Sequence, residues 1–180
     1  DPEDMTLKAV RILRRCPVAA IPKKEPETCT AYQTAVKAVP ELRNKELICI
    51  DVPMTKDREG NRKTYEEGAE RIAACLRNGQ DVALLTLGDA TVYASDMYLL
   101  RMVRDMGFEA EIVNGVPSFC AAAARLFTPL GERDEEIHIL PGSYGVEEGL
   151  KLPGVKVLMK TGKSYGQVKE LLESGDYQVQ

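Results

Sequence analysis

Apolar positions along the chain follow two alternating periods, one helical and one extended. Leu7, Val10 and Leu13 recur about one helical turn apart behind Thr6, a residue type that caps helix N-termini, and Pro17 blocks continuation, so a helix is predicted over 6–15. Val18 to Ile21 reads as a strand. Pro22 and Pro26 then frame a loop carrying Lys23 and Lys24, followed by a helix over 31–39 and a strand over 47–52. Thr64-Tyr65-Glu66-Glu67 matches a capping box, in which hydroxyl and carboxylate satisfy two otherwise unpaired backbone donors, and predicts a helix starting there. Ala69, Ile72, Ala73 and Leu76 continue its apolar face until Asn78-Gly79 ends the run.

Val82-Ala83-Leu84-Leu85 is a continuous apolar run of the kind buried on both faces of a sheet. A helix over 92–106 follows, with Tyr93, Met97, Leu100 and Val103 on one stripe, then a strand over 109–113 and a helix over 118–126. This alternation predicts an α/β fold with a mainly parallel sheet, because parallel neighbours need crossover connections. At Thr128-Pro129-Leu130-Gly131-Glu132-Arg133-Asp134 the periodicity gives way to Pro, Gly and charge, so two domains are expected, 1–130 and 131–180. The second starts with strands over 137–140 and 155–159 and a helix capped by Ser164-Tyr165-Gly166-Gln167 that bears Val168, Leu171 and Leu172. Opening on Asp1-Pro2-Glu3 and closing on Tyr177-Gln178-Val179-Gln180, the chain reads as a fragment.

Composition narrows the function classes. With 44% hydrophobic and 29% charged residues in 180, the chain is globular. A net charge of −4 and a pI near 5.2 disfavour a phosphate-backbone partner. No apolar run reaches the ~20 residues of a membrane span, so a cytoplasmic protein is expected. Cys16, Cys29, Cys49, Cys75 and Cys120 are widely spaced and have only His138 as a potential co-ligand, which favours reduced core thiols over a metal site.

Ligands of open α/β sheets bind beyond the carboxyl ends of the strands, which directs attention to three loops. In Thr86-Leu87-Gly88-Asp89-Ala90-Thr91, the glycine permits close backbone approach, and Asp89 accepts from ribose hydroxyls or lies near a cationic ligand, unless Asp89 or Thr91 caps the next helix. In Asn114-Gly115-Val116-Pro117-Ser118-Phe119, Ser118 either meets a ligand or serves as an N-cap. Met159-Lys160-Thr161-Gly162-Lys163 lacks the spacing of a phosphate-binding loop. His138 has no nucleophilic partner in an elbow motif, and Asp51, Asp57 and Glu59 read as loop charges. Residue by residue, these features amount to a small-molecule site in an α/β protein.

Taken together, the stretches resemble the tetrapyrrole methylase family. Asp1-Pro2-Glu3 is similar to the tail of that family's N-terminal Gly-rich loop, and Thr86-Leu87-Gly88-Asp89 to its second Gly-Asp-Pro loop, with Ala90 replacing the proline. Val52-Pro53-Met54-Thr55-Lys56-Asp57-Arg58-Glu59, Tyr93-Ala94-Ser95 and Pro117 to Leu126 are most similar to the branch that methylates carbon 20 of precorrin-2 or cobalt-factor II. The resemblance implies two α/β domains, the first sheet mainly parallel and the second mixed, with a ligand cleft between them, S-adenosylmethionine as methyl donor, no protein-bound metal and a homodimer. It implies donor contacts at Gly88, Asp89, Val92, Pro117, Ser118, Met159 and Lys160. A carboxylate-rich acceptor calls for local basic residues, and Lys23, Lys24, Lys56, Arg58 and Arg62 are the candidates. No catalytic base is assigned. The alternatives are a methylase of the same fold acting on a later precorrin, a modified histidine of a translation factor or ribosomal RNA, and a non-catalytic nucleotide-binding module.

Overall fold

A computed structural model of the chain describes residues 1–52, 58–143, 145–175, 177 and 179. They form two compact units, Asp1–Ser118 and Phe119–Gln180. The composition break at 128–134 falls inside the second of these.

The first unit begins with helix α1 (Leu7–Arg15). Thr6 Oγ1 accepts from the backbone N–H of Ala9 at 3.2 Å, as its N-cap position predicts. At the other end the Lys45 ammonium donates to the carbonyls of Leu13, Arg14 and Cys16 at 2.6, 2.8 and 2.5 Å. A cation there satisfies carbonyls with no intrahelical partner and complements the negative end of the helix dipole.

Strand β1 (Val18–Ile21) is followed by α2 (Thr30–Ala38), β2 (Glu46–Cys49), α3 (Arg58–Arg77), β3 (Val82–Leu84) and α4 (Asp96–Asp105). The three strands are parallel in the order β2-β1-β3, with Val18 opposite both Glu46 and Val82. As the centre strand, β1 has all four residues fully buried. Its period-two alternation divides the core. Ala19 and Ile21 pack with Leu13 of α1 and Tyr32, Ala35 and Val36 of α2, whereas Val18 and Ala20 pack with Tyr65, Ala69 and Ile72 of α3 and Leu99 and Val103 of α4. Helices on opposite faces are what right-handed crossovers running in opposite directions produce. The loops after all three strands therefore gather at one carboxyl edge.

Three expectations change. Helix α3 starts at Arg58, six residues ahead of the proposed capping box, and Thr64 Oγ1 donates to the carbonyl of Gly60 at 3.2 Å from inside the helix. Ion pairs Arg62–Glu66 and Lys63–Glu67 line the early turns, a stretch that an apolar stripe cannot reveal. Residues 109–113 join no described ladder: the segment is fastened through side chains instead, with Lys8 paired to Glu111 and Thr6 Oγ1 donating to the carbonyl of Asn114 at 3.3 Å. Helix α4 starts at Asp96, after an irregular passage in which Tyr93 adopts a φ of 51°, and its buried positions are Asp96, Leu99 and Val103. Strand β2 stops at Cys49, three residues short of the expected end at 52, and the other predicted elements form within about two residues of their expected ends.

Helix α5 (Ser118–Arg125) carries the chain across the division. The second unit contains β4 (Ile137–Pro141), α6 (Glu147–Leu150), β5 (Val155–Met159) and α7 (Tyr165–Ser174). Ile137 pairs with Val155 in a parallel ladder. Val146, Leu150 and Val168 form its core, with Leu158, Leu171 and Leu172 packed against them. Ser164 makes no side-chain cap, because a 3-10 turn over Gly162–Ser164 leads into α7. Among the described residues no helix is long and apolar enough to cross a membrane.

Candidate functional site

Two of the three loops singled out by the sequence meet at the carboxyl edge of the first sheet. Gly88 adopts a φ of +76°, a conformation side chains resist, and is exposed. The turn it creates directs Asp89 inward, where only 7% of the residue is accessible. Its Oδ1 accepts from the Thr91 backbone N–H at 2.8 Å and from the Thr91 hydroxyl, and its Oδ2 accepts from the Gly115 N–H at 2.9 Å. The Asn114 side chain supplies a further hydrogen bond.

These four donors match the roughly four lone-pair sites of a carboxylate. The protein's own donors thus surround Asp89, which staples one loop to the other. The Thr91 hydroxyl, then its N–H, then Gly115 and Asn114 hold the Asp89 carboxyl below the usual carboxylate range, against the upward push of burial. The helix-cap alternative does not hold, since the N-cap position of α4 is Ser95 and both Asp89 and Thr91 lie in the irregular passage ahead of it.

Gly115 makes the closure possible. A Cβ at this position would stand 2.1 Å from the carbonyl oxygen of Gly88 and 3.5 Å from the Cα of Asp89, so the backbones approach as only glycine allows. At Gly88, the Ser118 nitrogen and the Val116 oxygen both lie 3.8 Å from the corresponding Cβ position. The result is a ledge formed by 86–88 and 115–118, in which the two loops meet backbone to backbone at Gly88 and Gly115. Thr6 and Lys8 brace its far side from α1 through Asn114 and Glu111.

The ledge brings together Gly88, Asp89, Pro117 and Ser118 of the expected donor contacts, and the Val92 N–H donates to the Asp89 carbonyl at 3.3 Å. Pro117 is half-buried and Ser118 exposed. Met159 and Lys160 belong to the second unit: Met159 ends β5, its carbonyl accepting from the Gly142 N–H at 2.6 Å, and Lys160 follows with a φ of 56°. Of the expected acceptor contacts, Lys23 and Lys24 lie on the loop after β1, at the same sheet edge as the ledge. Arg62 sits on α3 with its Nε 2.7 Å from Glu66. Lys56 lies outside the described residues, as does the side chain of Arg58.

An aromatic group beside this edge was missed. The rings of Tyr65 on α3 and Tyr98 on α4 lie 5.5 Å apart at 43°, Tyr65 buried and Tyr98 56% exposed. Tyr65 bonds to the Ser95 side chain, and burial, with Asp96 nearby, pushes its hydroxyl pKa up. The available signal was that Tyr98 stands off the apolar stripe of its helix.

In the second unit, a hollow of about 500 Å³ opens between the turn after β4 and α7, bordered by Ser143, Glu147, Gln167 and Glu170. Its two carboxylates make it a poor match for an anionic ligand.

A family model described as Tetrapyrrole (Corrin/Porphyrin) Methylases matches residues 1–179. The chain is 32% identical over 178 residues to a probable cobalt-precorrin-2 C(20)-methyltransferase of Methanocaldococcus jannaschii, covering 98% of this chain and 75% of that protein. Its fold matches the solved structure of a cobalt precorrin-4 methyltransferase, CbiF, with a TM-score of 0.73 at 21% identity, over 97% of this chain and 71% of that one. It also matches a uroporphyrin-III C-methyltransferase of Thermus thermophilus complexed with S-adenosyl homocysteine, with a TM-score of 0.63 at 21% identity, over 98% of this chain and 73% of that one. Because the family model spans nearly the whole sequence and the α/β architecture is the one these solved methylases share, the chain belongs to the tetrapyrrole (corrin/porphyrin) methylase family.

Proposed function

We propose that this tetrapyrrole methylase uses S-adenosylmethionine to methylate carbon 20 of precorrin-2 or cobalt-factor II during corrin assembly. The observation that carries the reading is the Asp89 staple, which fixes two glycine turns into a ledge at the strand ends, where ligands of such sheets bind. Similarity to the M. jannaschii protein supports carbon 20 as the target.

When bound, S-adenosylmethionine supplies a methyl group made electrophilic by its sulfonium. Gly88 fits it, since it is exposed and its own missing side chain opens the backbone to close approach. Val92, Pro117 and Ser118 border the same place in the first unit, and Met159 and Lys160 complete the donor site from the second. Asp89 contributes by holding the ledge. Lys23, Lys24, Lys56 and Arg58 take the acceptor's carboxylates, and Arg62 joins them by exchanging its Glu66 partner. An electron-rich ring carbon attacking a sulfonium methyl needs little from the protein beyond orientation and exclusion of water. We further propose a division into functional domains near residue 130, a homodimer and a cytoplasmic location.

The test is methyl transfer by the intact protein from S-adenosylmethionine to cobalt-factor II, to precorrin-2 and, as controls, to uroporphyrinogen III and precorrin-4, followed by pigment absorption and product mass. The expected result is one methyl gained on the first or second acceptor. Transfer confined to a control, or donor binding with no transfer to any pigment, overturns the proposal.

A further inference from the structure

Tyr98 is a large, rigid aromatic ring that the fold presents outward. It occupies the third position of α4, whose Leu99 and Val103 are buried against the sheet and anchor the helix. Behind it lies Tyr65, only 9% exposed, with ring centroids 5.5 Å apart. Tyr65 is fixed in turn through the Ser95 side chain. The outer ring is therefore preorganised, because the inner one blocks its retreat into the core.

The surroundings say what kind of ligand suits such a ring. The passage that enters α4 exposes Leu87 by 60% and Tyr93 by 41%, and it is the same passage that Asp89 staples. Lys23 and Lys24 follow β1, the strand paired directly with β3, so positive charge and apolar surface share one sheet edge. A flat conjugated ring system fringed with carboxylates matches that combination, aromatic face to ring and ammonium to fringe.

We propose that Tyr98, backed by Tyr65, is a specificity-determining stacking face for the macrocycle of the acceptor. This rests on the tetrapyrrole methylase reading above and deepens it: the donor ledge and the acceptor face lie on one continuous loop-to-helix passage, 86–98.

The test uses the intact protein with cobalt-factor II as the pigment probe and S-adenosyl homocysteine as the donor probe. Tyr98→Ala should weaken pigment binding about 10-fold, the factor expected for losing one aromatic contact. It should also abolish the stacking-induced shift of the pigment's absorption band, while donor affinity stays at the wild-type value and loss of the ring pair lowers the thermal midpoint by no more than roughly 6 °C. Tyr98→Phe should restore both pigment affinity and the band shift, since the ring rather than the hydroxyl acts. Unchanged pigment affinity in Tyr98→Ala, or a parallel loss of donor affinity, overturns the stacking role while leaving the methylase reading intact. Failure of the wild-type protein to bind the pigment defeats both.

Discussion

The carboxyl edge of the first sheet has two sides built on different principles. On the ledge side, the contact is made by backbone: Gly88 and Gly115 pass within a distance no side chain tolerates, and the Asp89 carboxylate is buried and bonded to both loops. On the other side, exposed side chains dominate, with Tyr98 and Tyr93 open to solvent and Lys23 and Lys24 on the neighbouring loop. The ledge is fixed by geometry, so almost any substitution there is a structural event. The exposed side is defined by residue identity, so substitution there changes what binds and leaves the fold alone. This contrast matches a donor common to a family and an acceptor that differs within it.

The severest challenge to the contrast is Gly115→Val. Its Cβ would have to displace the Gly88 carbonyl, backbone that cannot swing aside, so the two loops must part. The expected cost is about 3 kcal/mol or more, equivalent to a thermal midpoint lowered by roughly 6–12 °C for a protein of this size. Differential scanning calorimetry measures it. S-adenosyl homocysteine binding should fall below detection by isothermal titration calorimetry at the same time. Survival of donor binding would show that the close approach is dispensable.

Asp89→Asn follows. The amide can still accept from Thr91, but its NH2 would face the Gly115 N–H, donor against donor, and the lost charge weakens every remaining bond. A loss of about 2–3 kcal/mol is expected from the charge-assisted bonds and the unsatisfied N–H. The pH dependence follows from the direction of the shift: Asp89 is lowered by its Thr91, Gly115 and Asn114 bonds, so its stabilisation is complete above the unfolded carboxyl value near ~3.9 and disappears as pH falls through the folded value. Denaturant midpoints of wild type and Asp89→Asn should therefore differ by a constant amount from pH 7 to 5 and converge at more acidic pH. A gap that persists unchanged in acid would mean that the carboxylate's charge plays no part.

Lys23→Glu with Lys24→Glu probes the exposed side. Reversing two charges at the proposed acceptor edge should raise the KM for a carboxylate-rich pigment about 10-fold or more at low salt, with donor affinity and unfolding midpoint unchanged. Added salt should shrink the difference, because surface charges are screened. Identical pigment KM values at low salt would remove these lysines from the site.

How much of this was legible beforehand depended on whether the signal was local. Thr6 as a cap and Val18 to Ile21 as a buried strand are written in a few adjacent residues and form as expected. The Gly88-Asp89 and Gly115 to Ser118 loops were marked by composition, yet their meeting spans 26 positions between Asp89 and Gly115, and no periodicity encodes such a contact. For the same reason the partners of Asp89 could not be read from the sequence: its donors at 114 and 115 come from another loop. Residues 109–113 carry a strand composition, but Thr6 and Lys8 fasten the segment through side chains, a tertiary choice that overrides local propensity.

The smallest expected effect tests whether the exposed ring has a firm foundation. If Thr64 were the N-cap of its helix, Tyr65 would sit in a fraying first turn and could not back Tyr98 reliably. Inside a helix running from Arg58, Tyr65 is fixed from both sides, and Thr64 merely returns a hydroxyl bond to Gly60. The two positions predict different outcomes for Thr64→Ala. Loss of a cap would cost about 1 kcal/mol. Replacing a helix-interior threonine by alanine should instead be neutral or stabilising by about 0.5 kcal/mol, since alanine has the better propensity and the back-bonded hydroxyl contributes little. A thermal midpoint at or slightly above wild type, with pigment affinity unchanged, fits the interior position; a drop of roughly 2–4 °C would return the helix start to Thr64 and deprive Tyr98 of its backing.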